Sequence, residues 1–152
     1  MDAATTVLTV VAAIGSGLAG GVFFAFSSFV MAGLDRAGDG AATPVMQGIN
    51  ATAVRPPLML LLFGTMLVAI VAGVLALIAP GAGSPWIIAA GIAYLLGPVL
   101  TTGAANVPLN NALDRDEIAW RAYLPRWMRW NHVRTLGGAA AAAGYAIALV
   151  VA

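Results

Sequence analysis

The chain has 152 residues, 61% of them hydrophobic and only 9% charged, with a formal net charge of +1, and its mean hydropathy is +0.94. Soluble domains carry roughly a quarter charged residues, so a fold this poor in charge lacks the groups to cover its own surface in water. Composition therefore excludes a disordered segment, a nucleic-acid-binding module and an ordinary cytosolic enzyme, and leaves an integral membrane protein.

Crossing a hydrocarbon core of ~30 Å takes about 20 apolar residues in a helix. Four stretches qualify, about residues 5–34, 57–78, 86–105 and 135–151. They predict an all-α fold, an integral membrane four-helix bundle, with residues 1–152 as a single transmembrane domain. The first stretch begins at Met1-Asp2-Ala3, which has no basic n-region, and it is too long for a signal-peptide core, so it reads as a retained span. Ser16 with Gly20 and Gly17 with Gly21 give it two small-residue faces that invite close helix approach. Packing inside the bundle is the first use of such faces, and a homo-oligomer contact the second. Phe23, Phe24, Phe26 and Phe29 surround most of a turn, so some face lipid while one or two are free to line an aromatic pocket.

In the first connection, Thr43-Pro44 has the pattern of an N-cap followed by proline, which predicts a short helix over Val45 to Val54 ended by Pro56-Pro57. Gln47 and Asn50 share one face of it. Pro80 to Pro85 makes a short uncharged turn between the second and third spans. Thr102, Asn106 and Asn110 form a polar row if the third helix persists through Pro108. Asp114, Asp116 and Glu117 resemble a solvated, charged helix start. In the second charged connection, Trp120, Tyr123, Trp127, Trp130 and Arg134 recur at three-four spacing, which predicts an amphipathic helix near the interface, with Pro125 opening a new segment. Asn131, Arg134 and Thr135 then share a face at the start of the fourth span. Gly137, Gly138, Ala142 and Ala146 give that span a smooth flank.

The seven basic residues are all Arg and all lie in the two long connections. Alternating spans place these connections on one side, and the positive-inside rule makes that side cytoplasmic, with both termini outside, in a multi-pass protein of the cell membrane. The short amphipathic helices belong to these two cytoplasmic loops.

Uncompensated amides and an unneutralisable Arg at helix ends are costly in a membrane. If the loop helices fold over the bundle end, Gln47, Asn50, Asn106, Asn110, Asn131 and Arg134 converge on a polar chamber flanked by aromatic rings. The same residues serve equally as a hydrogen-bond network that only fixes the helices. His132 is the only side chain whose unperturbed pKa lies near neutrality and is the candidate general base, although it sits about 100° round the helix from Asn131. With no Cys and a single His, the chain has no thiolate nucleophile and little basis for a metal or haem site made of protein ligands alone, so no metal and no cofactor are expected.

Four segments carry a resemblance. Gly21 to Met31, Met46-Gln47-Gly48-Ile49-Asn50, Asn106-Val107-Pro108-Leu109-Asn110 and Trp127 to Arg134, in this order, are similar to the pattern of the anthrone oxygenase-like family of small four-span membrane proteins. The resemblance implies that fold and a cofactor-independent oxidation of a lipophilic, polycyclic aromatic substrate by O₂, the chemistry of polyketide-pathway enzymes that turn an anthrone into an anthraquinone. By it, Gln47, Asn50, Asn106, Asn110, Trp127, Asn131 and Arg134 match the family's polar motif positions, without individual roles. From their chemistry Asn106, Asn110, Asn131, Arg134 and His132 are the candidate catalytic residues, and Gln47, Asn50, Phe26 and Trp127 the candidate substrate-binding ones. The expected partners are the aromatic small molecule, O₂ and membrane lipids, with no nucleic acid. Two other readings use the same residues: a binding or transport protein for a lipophilic molecule or quinone, and a structural membrane subunit.

Overall fold

The structure, a computed structural model, describes residues 1–152 as five helices joined by short connections. They are α1 (Ala3–Arg36), α2 (Asp39–Ala53), α3 (Leu58–Ile78), α4 (Ser84–Asp114) and α5 (Trp120–Val151). Helices α1, α3, α4 and α5 are each long and apolar enough to cross a membrane, making the chain a multi-pass membrane protein. They close into a ring in which α5 packs on α1, α1 on α3, α3 on α4 and α4 on α5. Large apolar residues such as Leu18, Leu60, Leu67, Leu100 and Leu136 point outward round this ring. Such a belt is an aggregation surface in water and a satisfied one in lipid.

Small residues set the closeness of the helices. Gly20 on α1 faces Gly138 on α5, and Gly97 on α4 faces Gly137 on α5, each so near that an added Cβ would meet backbone. Of the two small-residue faces of α1, Ser16 with Gly20 is the buried one, while Gly17 and Gly21 are exposed. Along the middle of the bundle, Ala12, Ala19, Phe23, Leu62, Tyr94 and Tyr145 belong to one apolar core. A second core at the charged end joins Met31, Ala42, Met46, Leu113, Trp120, Tyr123 and Trp127. That second core exists because α2 folds back over the bundle end and plants Ala42 and Met46 in it.

Three local features depart from the expected elements. The first-loop helix starts at Asp39, after Gly38, whose φ of 84° lies in the left-handed region that glycine adopts without a Cβ clash. Thr43-Pro44 is therefore inside the helix. Pro44 is exposed, so the carbonyl it leaves unpaired at Gly40 is on a side open to solvent. The amphipathic segment from Trp120 does form, burying Trp120, Tyr123 and Trp127 while Arg121 and Arg129 face out, but it runs without a break through Pro125 into the fourth span. Asp114 ends a helix rather than starting one, and Asp116 takes a φ of 56° in the turn that follows, a conformation Asp tolerates better than most residues. In that turn Arg115 Nε lies 2.7 Å from Glu117 Oε1, and this bond holds the Glu117 carboxyl below the usual carboxylate range.

Two of the four long apolar helices contain π-helical turns, at Phe26–Val30 in α1 and at Leu95–Leu100 and Thr102–Asn106 in α4. Pro98 lies within the second of these. A proline without an N–H cannot continue an α ladder, and a wider turn is one way to absorb it. Such turns leave backbone carbonyls open to other donors, and side chains take them up here: Thr101 Oγ1 donates to Leu96 O at 2.9 Å and Asn131 Nδ2 to Phe23 O at 2.8 Å.

Candidate functional site

The unusual group of the bundle is Arg134. It sits where the amphipathic half of α5 gives way to the apolar half, with only 6% of its surface exposed, and no carboxylate lies within salt-bridge distance of it. Its Nη2 donates to Asn131 Oδ1 at 2.6 Å and its Nη1 to Thr102 Oγ1 at 3.3 Å. Its guanidinium carbon lies 4.4 Å from the Phe23 ring centre and 5.0 Å from that of Trp127. Cation–π contact with two buried ring faces offsets part of the cost of desolvating the cation. Nε remains buried and without a partner.

Asn131, fully buried, is what aims Arg134. A guanidinium nitrogen only donates, so the Asn131 atom it meets is the oxygen. The amide nitrogen then donates to Phe23 O and to Ser27 Oγ, both at 2.8 Å, tying α5 to α1 next to its π-turn. Asn110 follows the same logic. Trp127 Nε1, a donor only, and the Tyr123 hydroxyl both reach Asn110 Oδ1, at 2.8 and 2.9 Å. Its NH₂ therefore faces the other way with no protein acceptor. Asn106, fully buried, donates to Trp127 O at 3.2 Å and keeps an unpartnered Oδ1. Thr102, Asn106 and Asn110 thus all face α5, through a helix that does persist past Pro108.

These side chains border a cavity of about 70 Å³. Phe23, Phe26 and Trp127 form its aromatic walls, and Asn110 and Arg134 bring polar groups to it from α4 and α5. Phe26 and Trp127 rings are 5.7 Å apart. Met46, Ile49 and Asn50 of α2 roof it. The other two phenylalanines of that run, Phe24 and Phe29, are exposed. No group of three His, Cys, Asp or Glu side chains gathers anywhere in the fold as metal ligands do.

The expected site residues divide into two groups. Asn50, Asn110, Arg134, Phe26 and Trp127 line the cavity, and Asn131 and Asn106 stand directly behind it. Gln47 faces the end of α4 instead, donating to Leu113 O at 2.9 Å. His132 is exposed on the outer side of α5, apart from the cavity, as its offset from Asn131 requires. Phe23, Ser27, Tyr123 and the roof residue Met46 complete the site and carry no polar pattern that marks them in the sequence beyond their place on amphipathic faces.

Gln47 and Asn50 latch the roof. Asn50 Nδ2 donates to Asp114 Oδ1 of α4 at 3.1 Å, and at the other end of α2 Arg121 Nε of α5 donates to Asp39 Oδ2 at 3.0 Å. The exposed ion pair contributes at most about 1 kcal/mol. Asn50→Leu removes a bond worth about 1 kcal/mol, so amide hydrogen exchange across Asp39–Ala53 is expected to speed up about fivefold, with exchange in α3 unchanged.

The site is thus a buried, aromatic-walled pocket with one uncompensated cation at the end of a four-helix membrane bundle. A family model described as anthrone oxygenase matches residues 57–144, and the chain belongs to that family. The match takes in α3, α4 and most of α5, and with them Asn106, Asn110, Trp127, Asn131 and Arg134. No curated protein and no solved structure matches the chain significantly. Family membership points to oxygenase-like chemistry.

Proposed function

We propose that this protein is a membrane-embedded oxygenase that oxidises a lipophilic polycyclic aromatic substrate of the anthrone type with O₂, using no cofactor, and that its charged end faces the cytoplasm. The observation that carries the reading is Arg134, held without a carboxylate partner against a cavity walled by aromatic rings.

An anthrone has a methylene between two aromatic rings, opposite its carbonyl. Loss of one methylene proton gives an aromatic enolate, which passes one electron to O₂. The resulting radical and superoxide combine to a peroxide, which takes up a proton. Loss of water from the hydroperoxide, with the second methylene hydrogen, leaves a new C=O. One O₂ thus supplies one oxygen to the quinone and one to water, and the two C–H bonds supply all four electrons, so no external reductant enters. Arg134 and the free amide N–H groups of Asn110 serve this sequence by stabilising the enolate and peroxide oxygens. No imidazole or carboxylate lines the cavity. The acidity of the substrate itself, raised by Arg134, lets the proton pass to water.

The test is O₂ uptake by purified protein given anthrone in lipid nanodiscs. One O₂ consumed per anthrone, with one atom of ¹⁸O from labelled O₂ in the anthraquinone, is the expected result. Uptake no faster than in protein-free nanodiscs would overturn the reading, and tight binding without uptake would replace it with a carrier of such molecules.

A further inference from the structure

The cavity beside Arg134 is far smaller than the pocket a three-ring molecule occupies. At about 70 Å³ it holds a few small molecules such as water or O₂, whereas pockets for drug-sized ligands run to about 300–1,000 Å³. Its walls therefore have to part, and two of them back onto a larger space. Val22 of α1 and Leu58 of α3 line the cavity and also line a furrow of about 440 Å³ on the outside of the bundle, between α1 and α3. Leu18 and Leu61 continue the furrow toward the middle of the membrane, and Leu61 joins it to a second hollow of about 460 Å³ floored by Gly15 and Gly64. At the charged end the furrow is rimmed by Arg55 and Thr52. Arg55 makes no ion pair.

We propose that the substrate enters sideways from the bilayer along this furrow, with Val22 and Leu58 as the partition that swings aside to let it reach Arg134. Its identity as a flat aromatic rests on the oxygenase reading. The passage itself is read from the shared walls. Two aliphatic side chains separate the spaces, and neither is held by a hydrogen bond, so rotamer changes open the way without breaking the Asn131, Asn110 or Asn106 anchors. Cavity and furrow merged reach the volume range such a ligand needs. A lipophilic molecule already concentrated in the membrane finds there an apolar track leading past one exposed cation, Arg55, to a buried one. A comparable groove of about 380 Å³ between α3 and α4, lined by Phe63, Val99 and Leu100, shares no lining residue with the cavity and reaches Arg134 only through the polar Thr102. It serves as the built-in control.

The full chain in phosphatidylcholine vesicles, with anthraquinone as a binding probe that quenches tryptophan fluorescence and anthrone as the turnover probe, tests the passage. Val22→Phe is expected to slow anthraquinone association and lower kcat/KM for anthrone, each by about tenfold. Val22→Ala is expected to leave association as fast as in wild type or faster, and Leu100→Phe to change neither quantity. An unchanged association rate in folded Val22→Phe, or an equal slowing by Leu100→Phe, would overturn the proposal. Gated binding without O₂ uptake would sink the oxygenase reading and leave the passage standing. Turnover indifferent to Val22 would do the reverse, and a wild type that neither binds nor turns over would remove both.

Discussion

Arg134→Met is expected to lower anthrone-dependent O₂ uptake by about 10²–10³-fold, the usual cost of removing a donor aimed at a developing oxyanion, while the unfolding temperature stays at or above the wild-type value. The two halves of this expectation come from one fact. A guanidinium buried to 6% exposure with no carboxylate beside it costs several kcal/mol to desolvate. Two side-chain hydrogen bonds and two ring faces offset part of that cost. Methionine fills a similar volume, keeps contact with Phe23 and Trp127, and removes the charge. Its own penalty is the Asn131 Oδ1 left without a donor, about 1–3 kcal/mol. Were Arg134 present only to hold the helices together, the variant would lose stability and any activity loss would track unfolding. Thermal unfolding in detergent, followed by circular dichroism beside the O₂ electrode, separates these outcomes. Arg134→Lys sharpens the measurement. A lysine keeps the charge but not the planar fork that spans Asn131 and Thr102, so it is expected to recover only part of the activity.

The parts of this architecture legible in the sequence are those set by the local pattern. Hydropathy alone locates the four spans, because lipid demands about 20 apolar residues whatever the partners. The polar rows of α4 and α5 were legible as faces, since a helix fixes which residues share a side. Thr102, Asn106 and Asn110 do face α5, where Thr102 meets Arg134, Asn106 meets Trp127 O and Asn110 meets Tyr123 and Trp127. What a face points at depends on residues far away in sequence. Asn131 finds Phe23 O, 108 positions earlier, through an approach of α1 and α5 that no local pattern encodes. Gln47 and Asn50 read as pocket amides, and only the fold shows that Gln47 is drawn to the end of α4. The π-turns were hidden for another reason. Their i→i+5 ladder has no side-chain period of its own, and Pro98 inside an apolar run is the one trace they leave. The helix continues through Pro125, against the break its sequence suggests, because a proline early in a helix, on an exposed face, costs less than one in the packed interior.

Which glycine faces carry the bundle leads to the second large effect. Ser16 with Gly20 and Gly17 with Gly21 have the same spacing, and sequence does not choose between them. A Cβ at Gly138 would come within 2.7 Å of Gly20 Cα and 3.0 Å of Gly20 N, both backbone atoms that no rotamer change moves. Gly138→Ala is therefore expected to cost about 1–3 kcal/mol by overpacking, and Gly138→Val, with two further methyl groups, to prise α1 from α5 so that little folded protein survives extraction. A Cβ at Gly21 meets nothing within 4 Å, so Gly21→Ala is expected to leave the unfolding temperature unchanged or slightly raised through helix propensity. The seam also runs past the site. Phe23 and Ser27, the α1 partners of Asn131, lie one and two turns beyond Gly20. Opening the seam would undo the bonds that orient Arg134. Gly138→Ala should then lose O₂ uptake in step with its loss of fold, the opposite of the pattern expected for Arg134→Met. Equal stability for Gly138→Ala and Gly21→Ala would show that α1 and α5 do not meet through Gly20 and Gly138, and the placement of Arg134 beside Phe23 would fall with that contact.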